Sequence, residues 1–352
     1  MAPVELPRGG RVLLRLPNWL GDVVLCSPGV AALRKARPDL ALTALVKPSA
    51  RAAAEGLEGL GAVLTLSGDS PGEVLSDARR LREGRFDAAV IFPKGLREAL
   101  LAWRAGIPVR TGLATDHRSA LLTHPVAFDR EAWHLHHARQ FASVLGPLGV
   151  VPGSYAPAFA VSADGEEEAD AVLAKHGVGG AFAVFHVAAS KAPRAWHGER
   201  FGRVAAGLRE EAGLLPVLVG TSAERSQHAA LLAACPGAVD LAGETTLMGM
   251  AGVLRRARLF VGNDSGPMHV AAAVGTPVAA VFGPGAAHKT APQVPGSRIR
   301  VVSADLPCSP CRQAFWKECR PGASGKPPCL EGVSAGAVLA ASLDLLARSG
   351  NA

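Results

Sequence analysis

Val12-Leu13-Leu14-Arg15-Leu16-Pro17-Asn18-Trp19-Leu20-Gly21-Asp22 is the stretch that decides the fold. Its first five residues, apolar but for one arginine, read as a strand. Pro17 to Gly21 read as a glycine-containing turn, and a helix is expected over 22–36. Strand, tight turn and helix in that order open a βαβ unit. Further strands read at 42–46, 62–66 and 88–92, with helical segments between them. This alternation predicts a parallel sheet. Right-handed crossovers then place the strand-to-helix turns on one edge of it.

A stretch rich in Pro, Gly and small residues, 150–162, lacks helical period and reads as a linker. A second series follows, with strands at 182–185, 215–219, 238–241, 259–261 and 278–282 and helices at 199–211 and 246–256. The expected organisation is a domain over 1–150 and another over 163–330. A helical tail over 331–352 is expected to return to the first domain. Both domains should be Rossmann-like α/β folds facing each other across a cleft, with ligands at the carboxyl ends of the strands.

The 352 residues are ample for two cores. With aromatics at 5%, those cores must be built from Ala, Val and Leu. A formal charge of +7 calls for an anionic partner. Nucleic acid is disfavoured, because no basic stretch interleaves with aromatics to form a stacking platform. Arg11, Arg15 and Pro17 interrupt the N-terminal apolar run, so no signal peptide is read. No segment reaches the ~18 uninterrupted apolar residues of a membrane helix. A cytoplasmic protein that meets a membrane only peripherally is expected.

Four turns carry chemistry. Asp22, beside Gly21 and Asn18 at the end of the first strand, can take a proton from an attacking hydroxyl. The same position also suits an N-cap or first-turn aspartate. In Gly262-Asn263-Asp264-Ser265-Gly266-Pro267-Met268-His269, Ser265 and Gly266 would offer amides to a diphosphate at a helix start. Asp264 would accept from sugar hydroxyls there. This polar run is longer than a cap requires. Lys191 and Arg194 could neutralise diphosphate charge or line a solvated loop. Glu224, in Gly220-Thr221-Ser222-Ala223-Glu224, could bond a ribose or pair with a helix dipole.

Gly283-Pro284-Gly285-Ala286-Ala287-His288-Lys289-Thr290 nearly matches a P-loop, but His288 stands where the second glycine belongs. Cys26 and Cys235 sit in apolar helical stretches and read as core. Cys308, Cys311, Cys319 and Cys329 leave three readings open: a structural metal site, free thiols or an Fe–S role. His134, His136 and His137 lack a carboxylate at helical spacing and read as solvated or core histidines.

The chain resembles the ADP-heptose:lipopolysaccharide heptosyltransferases, glycosyltransferase family 9. The resemblance rests on Asn18-Trp19-Leu20-Gly21-Asp22, on the 262–269 block with Gly275-Thr276-Pro277 and Phe282-Gly283-Pro284, and on Leu306-Pro307-Cys308-Ser309-Pro310-Cys311 with Cys319 and Cys329. The cysteine tail is similar to that of the family's type II branch. The resemblance implies a GT-B fold and an inverting, metal-independent displacement without a cofactor. It implies Asp22 as general base, Arg194 at a phosphate-binding position usually held by Lys, and Glu224 on the ribose. It also implies Asp264 on the heptose and Ser265 with Gly266 on the diphosphate. The donor implied is ADP-heptose and the acceptor an anionic lipid A–Kdo–heptose, met by a monomer at the cytoplasmic face of the inner membrane. The chain departs from the family pattern at Val187-Ala188-Ala189, at His197 and at Lys94-Gly95-Leu96-Arg97. A family 9 enzyme of other specificity, a nucleotide-sugar epimerase and a nucleotide-sugar-binding regulator are the rival readings.

Overall fold

The structure, a computed structural model, describes residues 3–349; residues 1, 2 and 350–352, at the ends of the first domain and of the tail, lie outside them. The chain divides into two units, one ending at Ala160 and the other beginning at Val161.

The first unit contains β1 (Arg11–Arg15), β2 (Ala41–Val46), β3 (Ala62–Thr65), β4 (Ala88–Ile91), β5 (Val109–Leu113) and β6 (His124–Val126). They form one parallel sheet in the order β3-β2-β1-β4-β5-β6. The second unit contains β7 (Phe182–His186), β8 (Leu215–Leu218), β9 (Val239–Asp240), β10 (Leu259–Asn263), β11 (Val278–Phe282) and β12 (Ile299–Ser303). Its parallel sheet runs β12-β11-β10-β7-β8-β9. Counted from its own first strand, each sheet has the Rossmann order, which reverses direction once. The reversal falls between β1 and β4 in the first unit and between β7 and β10 in the second.

The central strands are apolar throughout because helices cover both faces of a parallel sheet. All of β4, β7, β10 and β11 is buried, whereas the edge strands β3, β9 and β12 are partly exposed. Strands β5, β6 and β12 have no counterpart in the sequence reading. Arg110, Gly112, Pro125 and Arg300 interrupt their apolar runs.

The tail forms a helix, Ala335–Ser349. Its expected return to the first domain is corrected: it packs on the Gly198–Ala212 helix and on β10, β11 and β12 of the second unit. Val338 and Leu345 join the core cluster of Phe201, Leu208 and Val281, and Gly207 makes room for Leu339. Burial of that apolar stripe fixes the helix there. Among the described residues, no helix is long and apolar enough to cross a membrane.

Candidate active site

In a parallel sheet, a crevice for ligands opens where the strand order reverses, outside the carboxyl ends of the strands. The flanking loops in the first unit are 16–19 after β1 and 92–95 after β4. In the second unit they are 187–197 after β7 and 264–265 after β10.

In the first unit the helix Leu20–Ala36 is preceded by Trp19 as N-cap, with no side-chain capping bond. Asp22 is therefore in the first turn and is not the cap. Gly21 is its second helical residue and is not among the residues with left-handed backbone, so the tight turn expected of it is corrected. A carboxylate in a first turn is favoured by the helix dipole and stays available to a ligand. His137 Nδ1 lies 3.9 Å from its Oδ1, and both side chains are about one-third exposed. One turn along, Cys26 is buried, and burial together with the Asp22 carboxylate pushes its thiol well up.

The turn before Asp22 is held from below by Arg15, which is 2% exposed. Its Nε donates to Glu98 Oε2 at 2.6 Å, Nη2 to Asn18 Oδ1 at 2.8 Å and Nη1 to the carbonyls of Leu16 and Leu45. Arg118 is wholly buried and supports the neighbouring loop by donating to the carbonyls of Pro93 (2.6 Å) and Gly95 (3.0 Å). Burial brings its guanidinium down to about 10. Cations gather along this edge: Lys47 and Arg97 both bond Asp69, and Lys94 lies 4.4 Å from the Phe128 ring centroid while donating to Gln140.

In the second unit Arg194 and Asp264 meet, Nη2 to Oδ2 2.5 Å. Asp264 can come this close to the turn after β11 because residue 285 is glycine; a methyl there would overlap its carboxylate. The near-P-loop stretch thus serves the site through Gly285, followed only by a one-turn helix, Ala287–Thr290. Asn263 is fully buried. It accepts from the Trp196 amide (2.9 Å) and donates to the Val187 carbonyl (2.8 Å), binding the loop after β7 to the end of β10. Lys191 is exposed at the mouth of that loop.

Ser265 is the N-cap of the helix Gly266–Ala273, which has Pro267 in its first turn. Its hydroxyl shares a hydrogen bond with His186 Nδ1 (3.1 Å). The other ring nitrogen lies 3.7 Å from Glu224 Oε1, a distance that permits ionic attraction and is too long for a hydrogen bond. Glu224 Oε2 accepts from the Thr221 amide (2.7 Å) and hydroxyl (2.9 Å), closing a capping box. The His186 imidazole, then the Thr221 amide and hydroxyl, lower the Glu224 carboxyl to about 2 against the opposing effect of burial. Sequence reasoning missed His186. Its only signal was a polar residue ending an apolar strand.

The four tail cysteines are free thiols: Cys308 and Cys311 are exposed, Cys319 is half-buried and Cys329 is buried. Burial pushes the Cys329 thiol up to about 11. Among the described residues, no group of three or more His, Cys, Asp or Glu is placed to hold a metal. The segment is instead tied to the turn after β11, where Ser309 donates to the Gly283 carbonyl (2.6 Å) and the Cys311 amide to that of Pro284 (3.4 Å). His136 caps the helix His137–Ser143.

Residues 74–319 match the model of glycosyltransferase family 9 (heptosyltransferase). Lipopolysaccharide heptosyltransferase 2 of Escherichia coli K12 is 28% identical over 305 residues, 82% of this chain and 87% of that one. The solved structure of E. coli ADP-heptose lps heptosyltransferase II superposes with a TM-score of 0.79 at 22% identity, over 97% of this chain and 99% of the other. A family 9 glycosyl transferase from Veillonella parvula superposes with a TM-score of 0.81 at 22% identity, over 96% and 97%. Both share the two-sheet α/β architecture.

Proposed function

The chain belongs to glycosyltransferase family 9, and we propose that it moves L-glycero-D-manno-heptose from ADP-heptose onto the inner core of lipopolysaccharide. The observation that carries this reading is the pair of strand-order reversals: one has a first-turn aspartate and the other a helix start beside an Arg–Asp pair. The first suits a base that receives an acceptor proton. The second suits a sugar linked to a diphosphate.

The second unit holds the donor. The diphosphate takes the Ser265 and Gly266 amides and the positive end of the helix dipole, with Arg194 and Lys191 supplying charge. Asp264 accepts from the heptose hydroxyls and Glu224 from the ribose. The first unit presents the acceptor, whose phosphates and Kdo carboxylates suit Lys47, Lys94 and Arg97. Asp22 takes the proton of the acceptor hydroxyl as its oxygen attacks the anomeric carbon. The bond from that carbon to the diphosphate oxygen breaks on the opposite face, so configuration inverts, and ADP leaves with the electron pair. Backbone amides and guanidinium groups stabilise the charge that develops on it without a metal. The enzyme works as a monomer and, because the acceptor is anchored in lipid, peripherally at the cytoplasmic face of the inner membrane.

Mass spectrometry of products tests this reading, with ADP-heptose offered alone and with truncated core acceptors of defined structure. Addition of one heptose to a heptosyl-Kdo-lipid A, with release of ADP, is expected. Interconversion of the donor without acceptor would overturn it in favour of an epimerase. Transfer only to another acceptor would leave the family intact and overturn the specificity.

A further inference from the structure

We propose that His186 is a positioning residue that ties Glu224 and Ser265 into one unit for gripping a nucleoside diphosphate. The inference rests on the donor reading given above.

Ser265 is the starting point. At three other α-helix starts the N-cap side chain does what that position favours: Ser70, Ser162 and Thr246 each accept from an amide in the following turn. Ser265 has the extended backbone of an N-cap, φ −150° and ψ 168°, but makes no such bond. Its hydroxyl is engaged by His186 instead. The amides of Gly266 and Met268 are thereby left uncapped by that side chain, while Pro267 has no amide to offer. A helix start whose own cap is withheld keeps its donors for an anion.

The same imidazole fixes the acid at the neighbouring turn. Glu224 spends Oε2 on its capping box, and Oε1 faces His186 Nε2. His186 is 3% exposed, the last residue of β7, beside the strand-order reversal. One buried ring therefore stands between the turns after β8 and β10. An apolar residue could fill the space but could orient neither partner.

Calorimetric binding of ADP to the full chain tests the proposal through a mutant cycle. The variants are H186A, S265A, E224A and the doubles H186A/S265A and H186A/E224A. We expect H186A to lose about tenfold in affinity. Adding S265A or E224A to it should cost less than about twofold more, although each alone weakens binding severalfold. Losses that multiply in the doubles would overturn the proposal. Should H186A fail to fold, H186N keeps a polar atom near the Nδ1 position and H186Q one near Nε2. S265A should then weaken H186N as it weakens the wild type and leave H186Q unchanged; equal sensitivity in both backgrounds would overturn it. If the wild type itself does not bind ADP, the donor reading fails and this inference with it. If the wild type binds and the losses multiply, only the role of His186 fails.

Discussion

Nη2 of Arg194 lies 2.5 Å from Oδ2 of Asp264, with the two side chains 22% and 13% exposed. The cation proposed to meet the diphosphate is thus already paired with the acid proposed to hold the sugar. A donor must share Arg194 with Asp264, and the carboxylate repels the phosphates it sits beside. D264N should therefore bind ADP about fivefold more tightly while losing most transferase turnover, because Arg194 is released and the sugar contact weakened. R194A should bind ADP at least about tenfold more weakly. Calorimetry with ADP beside steady-state turnover checks both. Weaker ADP binding by D264N would contradict the competition.

Asp22 stands in the first turn of its helix and does not cap it, so D22N removes little that the fold needs. Turnover with ADP-heptose and acceptor should fall by roughly 10²–10⁴, the usual contribution of a general base. ADP affinity should stay near wild type, because the donor groups belong to the second unit. Undiminished turnover in D22N would remove the base assignment.

The main features of this arrangement were legible in the sequence for a physical reason. Buried parallel strands such as Val278–Phe282 are continuous apolar runs, and the turns after them must carry the polar residues a ligand meets. What escaped lies at the sheet edges and in long-range pairing. His124–Val126 is a three-residue edge strand with a proline in it, too short to show a period. Arg15 reads as an ordinary strand arginine until Glu98, 83 positions on, is brought to its Nε. His186 and Gly285 acquire meaning only beside Ser265 and Asp264. The two oxygens of Glu224 divide the same way, one closing the capping box and the other facing His186.

The Arg15–Glu98 pair is buried on both sides, with side chains 2% and 9% exposed. E98A would leave a guanidinium in the core with only carbonyls and Asn18 to face. Uncompensated buried charge of this kind costs about 3–5 kcal/mol. The double variant R15M/E98L should recover most of that loss, since no charge is left buried. It should nonetheless transfer sugar poorly, because Asn18 has lost the donor that holds its turn. Denaturant unfolding and turnover measured on the same preparations separate the two effects. Equal destabilisation in the single and double variants would show that packing, and not charge, sets the cost.

Glu224 gives stability a pH signature whose sign follows from its environment. In the folded chain its carboxyl is held at about 2, below the ordinary 4.5, by His186 and Thr221. A depressed carboxylate contributes fully above its unfolded value, and the contribution fades as pH falls from about 4.5 towards 2. E224Q can still close the capping box with Thr221 but lacks the charge. At neutral pH the wild type should be more stable than E224Q. The gap should narrow steadily below pH 4.5 and close near pH 2, because every other carboxylate titrates alike in the two proteins and cancels in the difference. Urea unfolding of both proteins across that range reads it directly. Parallel stability curves would mean that His186 and Thr221 do not favour the ionised form.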